Sequence, residues 1–253
     1  MTAITVLIPS FNSEATIRKA LESVKWADEI LIVDSFSQDR TLEICSQYTD
    51  HILQHAYENS TSQKNWALRF CTHPWILQLD SDEELEEGLA EEIKSVLSRP
   101  HDTHCYLIPR KNFIYGKWIK TCGIYPDYQT RLFRKDTAKF SERSVHAKII
   151  APGKFQTLKH HLLHHDFKDV SSYLSKLSRY TNYELTELLK KGHSLSWLDL
   201  YLRPPLVFFY VYFWKRGFQD GYRGLLQAVL ASQYVFLKHA KLWEDQWKKK
   251  NQN

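Results

Sequence analysis

Three short apolar, β-branched runs constrain this chain most: "AITVLIP" (3–9), "EILIVDS" (29–35) and "WILQLDSD" (75–82). Each ends in a polar tip, which reads as a buried strand reaching the edge of a sheet. Between the first two, "NSEATIRKALESVKWAD" sets Ile17, Ala20, Leu21 and Val24 at helical spacing, with Asn12 or Ser13 placed to cap the helix. "QDRTLEICSQY" and "TSQKNWALRFC", between the second and third runs, have the same period. Strands alternating with helices imply an α/β fold, a mostly parallel sheet with helices on its faces. Ligands of such sheets bind outside the carboxyl ends of the strands. Pro9-Ser10-Phe11-Asn12, Asp34-Ser35 and Asp80-Ser81-Asp82 should therefore rim one site.

With 253 residues, 43% of them hydrophobic, the chain can bury one sizeable core, or one core with an appendage. Cys45, Cys71, Cys105 and Cys122 are scattered without CxxC spacing, which fits a reducing compartment and neither a zinc cluster nor a disulfide framework. The N-terminus has no basic region before its apolar run and reaches Pro9 early, so it reads as a strand and not as a signal peptide. Charge is uneven. From residue 190 on, eleven Lys/Arg stand against four Asp/Glu, and the same quarter holds 14 of the 35 aromatics. Basic and aromatic together suggest a surface that meets phosphates, in nucleic acid or anionic lipid. The shift separates a domain at 1–168 from a helical, basic and aromatic region at 169–253.

Asp80 and Asp82 allow two readings. They are either the end of a strand and the cap of a helix, or two hard oxygen ligands for one divalent cation. No GxGxxG and no GxxxxGK[ST] occurs, and eight glycines are too few to wrap a diphosphate in backbone. A site lacking that cradle needs another way to neutralise phosphate, and Mg²⁺ or Mn²⁺ on carboxylates supplies it.

In order and spacing, "VLIPSFNSEATI", "EILIVDSFSQDRT", "SQKNWAL" and "WILQLDSDEEL" resemble an inverting family 2 glycosyltransferase of the A-type, Rossmann-like fold. "GKWIKTCGIYPDYQTRLFRK", "SERSVH" and "LLHHDFKDVSSYLSKLSRYTNYE" are similar to the lipopolysaccharide core glycosyltransferases of that family, and residues 3–185 carry the likeness. The resemblance implies that a UDP-sugar is held by Pro9, Phe11, Asn12, Glu14 and Asp34. Phe11 would face the pyrimidine and Asp34 would accept from its N–H. It implies a metal on Asp82, with Asp80 nearer the ribose, and Lys64 within reach of a phosphate. Members usually add one histidine after the acidic motif as a metal or diphosphate ligand, and His164 matches it. In "KHHLLHHDF" neighbouring histidines fall on opposite faces of a strand, which argues against a four-histidine zinc site.

Inversion by single displacement also needs a base for the acceptor hydroxyl. Family members place it in an acidic motif after an acceptor loop, here Gly116–Gly123, which points to Glu142. The sequence departs from the pattern, with Ala147 where an acid would follow "VH", so Asp127 stays open as the alternative base. Arg131 and Arg134 would bind the diphosphate or an anionic acceptor.

Two other functions compete. Nucleotidyl transfer on a related fold usually wants a Gly/Arg/Lys-rich loop after the first strand, which "PSFNSEATIRK" lacks. A nucleic-acid-binding module would use the basic tail, but no recognition-helix, RRM or OB signature is present, so no nucleic-acid partner is expected. The acceptor would be a glycan or a lipid-linked glycan. "PPLVFFYVYFW" (204–214) and "GLLQAVLASQYVFL" (224–237) are too short to span hydrocarbon. Both suit an interfacial position on the inner, cytoplasmic face of an anionic membrane, with Lys215, Arg216, Arg223, Lys238 and Lys241 on phosphates. The alternative for these segments is packing on the catalytic domain or a homodimer contact.

Overall fold

The structure is a computed structural model that describes residues 2–98, 103–141, 149–153, 155–167 and 170–251. In chain order the elements begin β1 (Ile4–Ser10), α1 (Ile17–Val24), β2 (Glu29–Asp34), α2 (Thr41–Cys45), β3 (Ile52–Gln54), α3 (Ser60–Ala67), β4 (Trp75–Gln78), β5 (Glu83–Leu85) and α4 (Leu89–Leu97). Strands β6 (Cys105–Ile114), β7 (Lys117–Trp118), β8 (Asp127–Arg134), β9 (Lys139–Phe140), β10 (Ile149–Ile150), β11 (Phe155–Thr157) and β12 (Leu162–Phe167) follow. The chain ends in α5 (Val170–Lys190), α6 (Trp197–Tyr201), α7 (Arg203–Phe209), a π-helical turn at Tyr210–Trp214, a 3-10 turn at Gly217–Asp220, and α8 (Tyr222–Asn251).

Two compact units form: residues 1–111 with 127–165, and residues 112–126 with 166–253. The second draws in fifteen residues from the middle of the chain, which a boundary at 168/169 assigns to the first domain.

In the first unit the main sheet runs β3-β2-β1-β4-β8-β6-β12-β5. Its first four strands are parallel, as the alternation with helices demands; β8 then enters antiparallel between β4 and β6. Strand alternation sends Ile4, Val6 and Ile8 to one face and Leu7 to the other. The first face is covered by Ile17, Ala20, Leu21 and Val24 of α1, the second by Ala67 and Leu68 at the end of α3. Each such fully buried aliphatic side chain is worth about 1.5–3 kcal/mol, so Leu77→Asp at the centre of β4 would break the fold locally. The expected cap of α1 is absent. The helix starts after Thr16, with Ile17 N–H donating to the Ser13 carbonyl at 2.9 Å, and Asn12 sits before it in the left-handed region at φ 46°.

In the second unit α8 packs against both α5 and α7. The Asp220 carboxylate accepts from Thr121 Oγ1 at 2.7 Å and from the backbone N–H groups of Lys120 and Thr121 at 3.3 Å, and Lys117 Nζ is 3.3 Å away. Gly217 and Gly224 meet backbone to backbone; a Cβ on Gly217 would lie 3.0 Å from both Cys122 Sγ and the Val211 carbonyl. One clamp thus fixes the 112–126 segment. Tyr201, Phe213 and Trp214 stand 76%, 55% and 78% exposed. Three of the five cations expected to face phosphates are engaged internally. Arg223 donates to the Tyr115 carbonyl at 3.0 Å, Lys238 Nζ is 3.5 Å from Glu184, and Lys241 Nζ donates to Thr181 Oγ1 and Asn182 Oδ1. Among the described residues, no helix is long and apolar enough to cross a membrane.

Candidate active site

The parallel register brings the tips of β1 and β2 side by side, with Pro9 opposite Val33 and Ser10 opposite Asp34. Asp34 is fully buried. Its Oδ1 accepts from Ser10 Oγ at 3.0 Å and Ser37 Oγ at 2.5 Å, and its Oδ2 accepts from Ser37 N–H at 2.8 Å. Asn12 N–H donates to Ser37 Oγ, Asn12 Oδ1 accepts from Gln38 N–H, and Glu14 accepts from Arg40 N–H at 3.1 Å. Asp34, Asn12 and Glu14 therefore lock the two tips together. Phe11 and Phe36, one from each tip, remain more than half exposed.

At the next tip an alternating chain of charge begins. Asp80 Oδ1 accepts from Lys64 Nζ at 3.2 Å and Gln78 Nε2 at 2.8 Å, and Oδ2 accepts from Arg131 Nη2 at 2.5 Å. Arg131 also donates to Gln78 Oε1 and, at 2.6 Å, to Glu83 Oε1. Glu83 then meets Arg110 at 2.8 Å, and Arg110 meets Asp127 at 2.8 Å. Burial alone would raise the Asp80 pKa, but the Arg131 and Lys64 charges outweigh it and hold the carboxyl well below the usual carboxylate range. Burial pulls the Lys64 ammonium down, and the pull of Asp80 only partly restores it. Lys64 is held in this setting by α3, whose first turn is capped by Asn59 Oδ1 accepting from Thr61 and Ser62 N–H.

Asp82 lies beside this chain. Its carboxylate is 3.5 Å from His164 Nε2, and its carbonyl accepts from His165 N–H, because β12 runs antiparallel to β5 with His164 opposite Glu83. Burial lowers the His164 imidazole, while the hydrogen bond and charge of Asp82 raise it further, leaving it above its ordinary value. A carboxylate oxygen and an imidazole nitrogen at this separation match the donor set of a divalent cation of the Mn²⁺ or Mg²⁺ kind. Asp80, expected to share that ion, has both oxygens engaged by cationic and amide donors. The other histidines of the run each take a separate carboxylate: His160 with Glu92, His161 with Glu86, and His165 with Glu84.

Arg134 is not in the site. β8 is antiparallel to β4, so Arg134 pairs with Trp75 at the opposite end from Asp80, and its guanidinium binds Asp136 at 2.6 Å. Three positions from Arg131 on a strand also means the opposite face, a signal already present in "TRLFR". Asp127 lies at the end of the charge chain, paired with Arg110. Glu142 lies outside the described residues. Gln78, Glu83 and Arg110 join the site without having been singled out; the alternation "LQLD" placed Gln78 on the face of Asp80, but nothing in sequence announced the turn that returns Glu83 to Asp80 or the antiparallel register that delivers Arg110.

The chain is 25% identical over 248 residues to the lipopolysaccharide core biosynthesis glycosyltransferase LpsC of Rhizobium meliloti, covering 95% of this chain and 92% of that protein. It is 27% identical over 263 residues to an uncharacterized glycosyltransferase of Rickettsia felis, covering 99% and 93%. Among solved structures, residues 1–349 of S. aureus TarS in complex with UDP-GlcNAc superpose with a TM-score of 0.51 at 17% identity, covering 95% of this chain and 83% of that one. This likeness shows the A-type glycosyltransferase fold. The description "Glycosyl transferase family 2" matches residues 5–158, which contain all the strand tips and every residue of the charge chain. The chain belongs to glycosyl transferase family 2.

Proposed function

We propose that the protein transfers a sugar, with inversion, from a UDP-sugar to a hydroxyl of a glycan or lipid-linked glycan, within lipopolysaccharide core or related surface-glycan synthesis. The observation that carries this reading is the Asp82–His164 pair, 3.5 Å apart at the carboxyl rim of the sheet beside Lys64 and Arg131. The core-biosynthesis role of the Rhizobium meliloti relative and the UDP-GlcNAc bound by TarS support the acceptor and donor classes.

Asp82 and His164 would hold a divalent cation, which supplies positive charge where the nucleoside diphosphate departs. Phe11 and Phe36 offer exposed rings for the uracil face. Asp34 keeps the two tips in register, and any contact with the base must share an already engaged carboxylate. Lys64 and Arg131 bring positive charge to the same rim, but Asp80 orients and partly neutralises both. Glu142 takes the acceptor proton. Asp127 is the weaker candidate, because gaining a proton there would sacrifice its ion pair with Arg110.

The exposed aromatics of the C-terminal unit, with Lys215 and Arg216 beside them, would rest in the headgroups of an anionic inner leaflet, close to a lipid-linked acceptor. Calorimetry with UDP tests the central claim. Binding should require Mn²⁺ or Mg²⁺ and vanish in Asp82→Asn; equally tight metal-free binding, unchanged in that variant, would refute it.

A further inference from the structure

Within the C-terminal unit, three ligand-type side chains from separate stretches converge. His193 in the turn after α5, Asp199 in α6 and His239 in α8 bring one donor atom each within 4.8 Å of one another. Asp199 and His239 are 1% exposed, and His193 is half-buried. His193 Nε2 lies 3.3 Å from Asp199 Oδ2, and His239 Nε2 lies 3.9 Å from Asp199 Oδ1.

Hydrogen bonding fixes the tautomer of His239. Its Nδ1 is 2.8 Å from the Val235 carbonyl, which can only accept, so Nδ1 carries the proton. In the neutral ring Nε2 is then a lone pair facing a carboxylate oxygen, acceptor against acceptor in a buried setting. A cation between the two relieves that mismatch. A carbonyl behind Nδ1 is also the support that aims a metal-bound histidine.

Ordinary structural roles account for part of the cluster. Asp199 is the third residue of a capping box, with Oδ2 accepting from Ser196 N–H at 2.9 Å, and Arg203 Nε lies 3.0 Å from Oδ1. His193 Nε2 is within hydrogen-bond distance of Oδ2, but none of these contacts explains why the buried His239 Nε2 faces the same carboxylate. The Arg203 side chain is 55% exposed and free to turn into water.

We propose that His193, Asp199 and His239 bind one divalent transition-metal ion of the zinc class, which staples the α5–α6 turn and α6 to α8. Two imidazoles and one carboxylate, with a fourth position for water, are a common donor set for such an ion. Tetrahedral ligands at about 2.0–2.2 Å from zinc stand about 3.3–3.6 Å apart; the three donor atoms here lie within 4.8 Å of one another, so the side chains close by up to about an ångström when the ion binds. This site is separate from the Asp82–His164 pair and does not depend on the reaction proposed above.

The test uses the full chain carrying Asp82→Asn, stripped with EDTA and titrated with Zn²⁺ or Co²⁺. One equivalent should bind, Co²⁺ should give the visible absorption of a tetrahedral N/O site, and the thermal midpoint should rise by about 5–10 °C at a hundredfold excess of Zn²⁺ over its Kd. Adding His193→Ala should abolish the band and the shift, while Arg203→Ala, which removes a competing cation, should tighten binding severalfold. If His193→Ala does not fold, Asp199→Asn, which retains an oxygen for the capping box, should give the same loss. The proposal is overturned if the stripped parent shows neither band nor shift, or if the ligand variants bind as the parent does.

Discussion

Glu83→Gln tests the charge chain at its most buried member. The Glu83 carboxylate accepts from Arg110 at 2.8 Å, from Arg131 at 2.6 Å and, through Oε2, from the Asp80 N–H at 3.1 Å. Glutamine keeps the shape but turns one acceptor into a donor and leaves three cations facing two anions. Removing one partner of a buried ion pair costs about 3–5 kcal/mol. Each arginine here retains a second carboxylate, Asp80 for Arg131 and Asp127 for Arg110, which argues for the lower end, about 3 kcal/mol. At about 2–4 °C per kcal/mol for a chain of this size, the midpoint of the catalytic unit should fall by about 6–12 °C. Thermal unfolding followed by circular dichroism measures it, with Arg134→Ala as the control. That surface pair should move stability by no more than about 0.5 kcal/mol. A Glu83→Gln midpoint within about 2 °C of the parent would refute the assignment of a stabilising, buried ion-pair role to Glu83.

Glu142→Gln should lower turnover by about a hundredfold or more with UDP-sugar binding kept, measured by steady-state kinetics and calorimetry. The same phenotype in Asp127→Asn and not in Glu142→Gln would transfer the base to Asp127. Replacing Phe213 and Trp214 by serine should reduce flotation with anionic vesicles at low salt while leaving donor binding intact; unchanged flotation would remove this surface from membrane docking. Burial raises the Asp220 carboxyl, but Thr121 and Lys117 outweigh it and hold it below its ordinary value, so its stabilisation is fully present above the ordinary aspartate range and is lost as pH falls below that range toward the depressed folded-state value. Asp220→Asn should flatten that acid limb in melts of the C-terminal helices, and an unaltered pH profile would count against the assignment.

The parallel half of the sheet was legible because its signals are local: a run of β-branched residues, a helical period, a polar tip. Ile17, Ala20, Leu21 and Val24 occupy the buried face of α1 as their spacing requires. Asn12 was misread for the same reason. A residue able to cap a helix can equally tie a neighbouring loop, and Gln38, which decides between the two, is distant in sequence. Of the site, the acids at the tips and His164 were visible because each follows an apolar stretch. Arg110 and Glu83 were not, since only the antiparallel entry of β8 and β6 brings them together. The basic tail shows the limit of counting charge: Lys238 and Lys241 look free in sequence, yet both serve as ties to α5.

The Asp220 clamp has a consequence for modularity. The C-terminal helices look like a cassette that could be cut off or exchanged between relatives at a boundary near 168, but they hold residues 112–126 through Thr121, Lys120 and the Gly217–Gly224 crossing. A chimera that swaps only the tail would inherit one half of a lock without its key. Exchanging residues 112–126 together with 166–253 transplants both halves, and such paired grafts should express and fold where tail-only grafts do not.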